Sequence, residues 1–164
     1  MLYYWNPRHP ASQGKYGSFY DTQTQTVTEL QEEQGFPVKL RTTAAASGFS
    51  ILNDSKIKAQ YPGVYDFQFS FQFNYIGGGG SGTHVEIWLV INGNQVADTN
   101  TRLTISSNNP YTVAAWDFIV PVEAGDEVQI YWATDNYKIE MTATTSTMGG
   151  PNIPSSIVTV IPVA

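Results

Sequence analysis

Few residues in this chain could do chemistry. Two histidines occur, His9 near the start and His84 just beyond a glycine-rich stretch. A histidine base needs its partner within hydrogen-bond reach, and Ser81 and Glu86 are the nearest candidates. Glu86 lies two residues along an extended segment, so it shares a face with His84 and does not converge on it. A histidine-based metal site would need His9 and His84 to meet, and nothing in the sequence between them brings this about. The carboxylate pairs Glu32-Glu33 and Asp126-Glu127 sit in or beside turns, where solvated charge is the ordinary role. Loop carboxylates leave calcium as an open ligand class, although the EF-hand spacing is absent. Gly77-Gly78-Gly79-Gly80-Ser81-Gly82 has the glycines of a phosphate cradle but not the following Lys-Ser or Lys-Thr and helix. Asn53-Asp54-Ser55 matches a glycosylation sequon by chance, in a chain that shows no signal peptide. There is no cysteine, hence no disulfide, thiolate nucleophile or zinc-thiolate site. The expectation is a protein that is not an enzyme and uses no cofactor or metal.

The elements that would position these residues are read from one stretch. Tyr65-Asp66-Phe67-Gln68-Phe69-Ser70-Phe71-Gln72-Phe73-Asn74-Tyr75 places a ring at every odd position and a polar side chain at every even one. Only a pleated strand puts all those rings on one side. At about 3.3 Å per residue the strand spans roughly 36 Å, and a second layer must cover its rings.

With 164 residues, 13% aromatic and 13% charged, the chain suits one β-rich domain. Its net charge of -6 opposes nucleic-acid binding, and the basic residues Lys15, Lys39, Arg41, Lys56 and Lys58 are scattered. No apolar run approaches the roughly 20 residues that span a bilayer. The segment Met1 to Pro7 lacks the basic start and apolar middle of a signal peptide, so synthesis in a reducing cytoplasm without export is expected.

Residues 1–15 read as an arm and 16–164 as the folded domain. The arm combines Tyr3, Tyr4 and Trp5 with Pro7 and Pro10 and shows no periodicity. Free tails are poor in aromatics, so Tyr3, Tyr4 and Trp5 are the candidate partner-binding residues.

Beyond the arm, Tyr16 to Val27 reads as one strand, residues 29–35 as an acidic turn and Pro37 to Thr43 as another strand. Ala44 to Gly48 reads as a loop. Phe49 to Leu52 and Lys56 to Tyr61 form a hairpin. Thr83 to Ile91 places Val85, Ile87, Leu89 and Ile91 on one face, and Asn92-Gly93 is a strong hairpin signal leading into Gln95-Val96. Arg102 to Ser106 is short, whereas Tyr111 to Val122 is long and turns Trp116, Phe118, Val120 and Val122 one way. Glu127 to Ala133 follows with Val128, Ile130 and Trp132 inward, then Ile139, Met141 and Ala143 alternate. Ser156 to Val163 is apolar at both parities, which suits the middle of a layer or a subunit contact. About ten strands and no substantial helix define an all-β, antiparallel sandwich, with a jelly roll as the leading topology.

Six phrases in order resemble one family: Tyr16-Gly17-Ser18-Phe19-Tyr20-Asp21 with Gln23-Thr24-Gln25-Thr26; Gly63-Val64-Tyr65-Asp66-Phe67-Gln68-Phe69-Ser70; Ile87-Trp88-Leu89-Val90-Ile91-Asn92-Gly93; Ala114-Ala115-Trp116-Asp117-Phe118; Ala124-Gly125-Asp126; and Pro154-Ser155-Ser156-Ile157-Val158-Thr159-Val160. They look like a domain of structural proteins of tailed bacteriophages, often placed at the end of fibres. That domain is similar to the jelly-roll heads of complement and tumour-necrosis-factor (TNF) ligands. The resemblance implies a homotrimer displayed on a virion, as a capsid decoration or fibre-type protein, and it supplies no catalytic residues. Because the domain starts almost at Met1 with no shaft ahead of it, attachment to other virion proteins through the arm is expected. The alternative is a receptor- or glycan-binding tip on which Tyr75, Tyr111 and Tyr137 would stack against host surface sugars.

Overall fold

The computed structural model describes residues 14–27, 35–77, 82–106 and 110–163. Among these it contains fourteen strands and no helix. In chain order they are β1 (Tyr16–Asp21), β2 (Gln25–Thr26), β3 (Phe36–Pro37), β4 (Thr42–Ser47), β5 (Phe49–Leu52), β6 (Lys56–Ala59), β7 (Gly63–Tyr75), β8 (Thr83–Ile91), β9 (Asn94–Gln95), β10 (Thr101–Ile105), β11 (Tyr111–Val122), β12 (Glu127–Thr134), β13 (Ile139–Met141) and β14 (Ser156–Pro162). Four of them, β2, β3, β9 and β13, have only two or three residues, which reconciles the count with the ten strands read from the sequence.

The aromatic strand β7 organises the first sheet. On one flank it pairs with β11 along its whole length, from Gly63↔Val122 to Asn74↔Tyr111. On the other flank β14 takes Tyr65 to Phe71, and β13 continues the line at Phe73 to Tyr75. Strand β14 then pairs with β1, β1 with the edge strand β4, and β13 with β2. The second sheet runs β10-β8-β12-β6-β5, with β9 on β8 and β3 on β12. All these pairings are antiparallel, and the two sheets pack as a jelly-roll sandwich.

The core lies between the odd side chains of β7 and the inward residues of β8 and β12. Tyr65, Phe67, Phe69, Phe71 and Phe73 are buried, as are Val85, Ile87, Leu89, Val128, Ile130 and Trp132. Ring contacts fill it: Phe73 meets Trp132 at 5.4 Å between centroids, and Phe49 meets the Tyr65 ring edge-on at 4.9 Å. Each such side chain contributes about 1.5–3 kcal/mol on burial. The Asn92-Gly93 turn has the two positive φ angles, 52° and 80°, of the expected tight hairpin.

Four sequence readings are corrected. Tyr16 to Val27 is two strands, because a buried polar cluster interrupts it. Asp21, wholly buried, accepts hydrogen bonds from the Arg41 guanidinium, from Gln25 Nε2 at 3.2 Å and from the Gln23 backbone N–H at 3.0 Å. Gln25 also exchanges hydrogen bonds with the Lys39 backbone, donating at 3.0 Å and accepting at 2.8 Å. Ser155 Oγ donates to Gln23 O and Ser156 Oγ to Lys39 O, each at 2.7 Å. This network also holds residues 38–41 out of any ladder, so the strand expected over Pro37 to Thr43 is only the short β3 and the start of β4. The run Ala44-Ala45-Ala46, read as a loop, belongs to β4: alanine has a weak strand preference of its own, and pairing with β1 overrides it. Finally, β14 is central, as its composition suggested, but only Val158 and Val160 are fully buried; Ile161 and Val163 remain exposed.

Candidate assembly surface

Of the residues singled out for chemistry, those that the structure describes are taken up by the fold. His84 Nδ1 lies 3.2 Å from Thr104 Oγ1 across the β8–β10 pair. Glu86 accepts from Asn100 Nδ2 at 2.9 Å and from Arg102 Nε at 2.8 Å; it does not converge on His84. His9, Ser81, Glu32 and Glu33 lie outside the described residues, as do Tyr3, Tyr4 and Trp5. Asp126 fastens turns: Oδ1 accepts from Asn92 Nδ2 and Oδ2 from the Glu123 N–H, both at 2.8 Å. Glu127 accepts from Lys56 Nζ at 2.6 Å. Ser55 of the sequon is buried under Gln129, whose Nε2 donates to it at 3.0 Å. Among the described residues no cluster of three or more His, Cys, Asp or Glu could hold a metal ion.

These partners depress three carboxyl groups below their ordinary range. Asn100 and then Arg102 hold Glu86 down, and the Lys56 ammonium does so for Glu127. Burial pushes Asp135 up, but hydrogen bonds from the Thr83 hydroxyl and the His84 N–H outweigh it. A carboxyl depressed on folding contributes stability above its unfolded value, and that contribution disappears as pH falls through the folded value. Urea unfolding midpoints should therefore be level from neutral pH down to about 5 and drop below about 4. Asp135→Asn should flatten that acid limb, and an unchanged limb would show that Asp135 contributes nothing to it.

The three tyrosines proposed for sugar stacking lie toward one end of the sandwich but not on one face, Tyr111 being on the outer side of the first sheet and Tyr75 on its inner side. Tyr111 is opposite Asn74, Tyr75 is opposite Ile139, and Tyr137 sits in the turn before β13. Tyr111 and Tyr137 are exposed, whereas Tyr75 is half-buried against the core.

A larger feature covers the outer face of the first sheet. There the even positions of β7 meet the odd positions of β11 and β14. Ile119 of β11 is opposite Asp66, which is opposite Ile161 of β14; Pro121 is opposite Val64, and Val163 donates its N–H to Val64 O at 2.9 Å. Four neighbouring aliphatic side chains are thereby left in solvent: Ile119 57%, Val163 49%, Ile161 39% and Val64 37% exposed. Asp66 stands among them. Its Oδ2 accepts from Gln68 Nε2 at 2.8 Å, while its Oδ1 is buried with no partner among the described residues. Contiguous exposed apolar surface of this kind marks a contact face. The double-parity β14 carried part of this signal in the sequence; Ile119, at an odd position of β11, went unread.

No family model and no curated protein sequence matches the chain. Solved structures do. A TNF, Eiger, from S. frugiperda superposes with a TM-score of 0.58 at 7% identity, covering 91% of this chain and 92% of that one. The globular domain of a zebrafish complement 1qA protein superposes with a TM-score of 0.52 at 15% identity, covering 92% and 98% respectively. The fold is thus the complement/TNF-like jelly roll.

Proposed function

We propose that this protein is a structural component of a phage virion: a homotrimeric jelly roll displayed on the particle surface and attached to other virion proteins through residues 1–15, with Tyr3, Tyr4 and Trp5 as the anchor. In this reading it is not an enzyme and is assembled in the host cytoplasm. The observation that carries it is the apolar face around Val64, Ile119, Ile161 and Val163, which a closed ring of copies would bury in every subunit. The phrases shared with tailed-phage structural domains support the virion setting, and the fold supports the trimer. Light scattering at micromolar concentration should give three times the 18.1 kDa chain mass. The double variant Ile119→Asp, Ile161→Asp should stay folded by circular dichroism and run as a monomer. A monomeric wild type would remove the reading. The anchor is tested by adding full-length protein, or protein lacking residues 1–14, to particles that lack it: only the full-length form should sediment with them.

A second reading, a glycan-binding tip formed by Tyr75, Tyr111 and Tyr137, is favoured by the exposed rings of Tyr111 and Tyr137 at one end of the sandwich. A glycan array separates the two: binding lost in Tyr111→Ala supports the tip, and silence supports decoration.

A further inference from the structure

The outer face of the second sheet carries an indole where alternation calls for a polar side chain. Trp88 and Val90 occupy the outward positions of β8, opposite the core residues Ile87 and Leu89, and neither belongs to the core cluster. Yet Trp88 is only 8% exposed. Gly35 closes over it, so tightly that a Cβ there would lie 2.2 Å from the ring atom Cη2. The Tyr131 ring lies beside it, 6.0 Å away and tilted by 39°.

Two grooves meet at this indole. The larger, about 540 Å³, is lined by Glu86, Asp98 and Asn100 among others. The smaller, about 290 Å³, runs past Tyr131. Gly35, Trp88 and Gln95 line both, so the two grooves adjoin at these residues and are taken together as one trough. Its size is that of a small-molecule site rather than of a packing defect.

We propose that this trough binds a neutral saccharide of about two rings, with the Tyr131 ring and the small exposed part of Trp88 against the C–H faces and Gln95, Asp98 and Asn100 on the hydroxyls. A pyranose presents an apolar face and a belt of hydroxyls that both donate and accept. Aromatic walls match the first, and planar amide and carboxylate groups match the second. The charge pattern selects among ligands. Glu86 is paired with Arg102, and among the described residues this leaves Asp98, an exposed residue in a left-handed turn with φ 62°, as the uncompensated charge on the lining. One rim carboxylate is weak attraction for an organic cation, and among the described residues no basic side chain lines the trough to take a phosphate or an acidic sugar. Asn100 gives Nδ2–H to Glu86, which leaves Oδ1 to accept from a hydroxyl. This site lies on the opposite sheet from the proposed assembly face, so it does not depend on the oligomeric state.

The test is a nuclear magnetic resonance titration of ¹⁵N-labelled full-length protein with maltose, lactose and diacetylchitobiose, each to about 10 mM, where a millimolar site is about nine-tenths filled. The indole signal is assigned by its loss in Trp88→Phe. At least one disaccharide should shift the Trp88 indole and the Gln95 and Asn100 side-chain amides saturably. Gln95→Ala should weaken that binding about fivefold without lowering the melting temperature. Choline and sialyllactose should leave these signals unmoved. The inference is overturned if none of the three disaccharides moves them, if the shifts fall instead at the Tyr111 and Tyr137 end, or if choline alone binds.

Discussion

Phe69→Ala should lower the unfolding free energy by about 3–5 kcal/mol, the cost of deleting a ring from a core that only partly collapses. The reason is its position. Phe69 packs on Phe71 at 4.5 Å, on Trp116 at 4.6 Å and on Phe118 at 5.6 Å between centroids. It therefore joins the rings of β7 to those of β11, and its removal loosens both strands. In a chain of this length the melting temperature should fall on the order of 10 °C. Gln68→Ala, one residue earlier on the exposed face, should change stability by about 0.5 kcal/mol or less. Equal losses in the two variants would show that the rings of β7 do not make the core.

The second large effect concerns the polar cluster at the start of β14. Arg41→Met should destabilise by about 3 kcal/mol, because it leaves the wholly buried Asp21 carboxylate without its cation. The lower end of the range is expected because the Arg41 side chain is itself 31% exposed. In an Asp21→Asn background the same substitution should cost under about 1 kcal/mol, since no buried charge is then abandoned. Guanidinium unfolding of the four proteins closes the cycle. Additive losses would mean that the pair is not energetically coupled.

What the sequence disclosed depended on whether one strand carried its own signal. The alternation in β7, β8 and β11 is local, and the buried parity matches the reading at nearly every position. The cluster joining Asp21, Gln25, Arg41 and Ser155 is not local: it unites residues as much as 134 apart, and nothing within the run Tyr16 to Val27, read as one strand, marks it. The poly-alanine edge β4 was misread for the same reason, since its strand character comes from β1. Trp88 was visible as one member of the run Ile87-Trp88-Leu89-Val90-Ile91, apolar at both parities, but no property of that run indicates that a groove lies beside it.

The place of β14 also governs how the chain is made. It is the last strand in sequence, yet it lies between β1, the first, and β7. As the chain leaves the ribosome, the flank of β7 that β14 will occupy stays unpaired until β8 to β13 and then β14 itself have emerged. Through that interval a long strand with six aromatic rings presents an open edge, the form most prone to pair with another chain. Fast closure by the carboxy-terminal residues, or shelter by a chaperone until they arrive, is therefore a requirement of this topology.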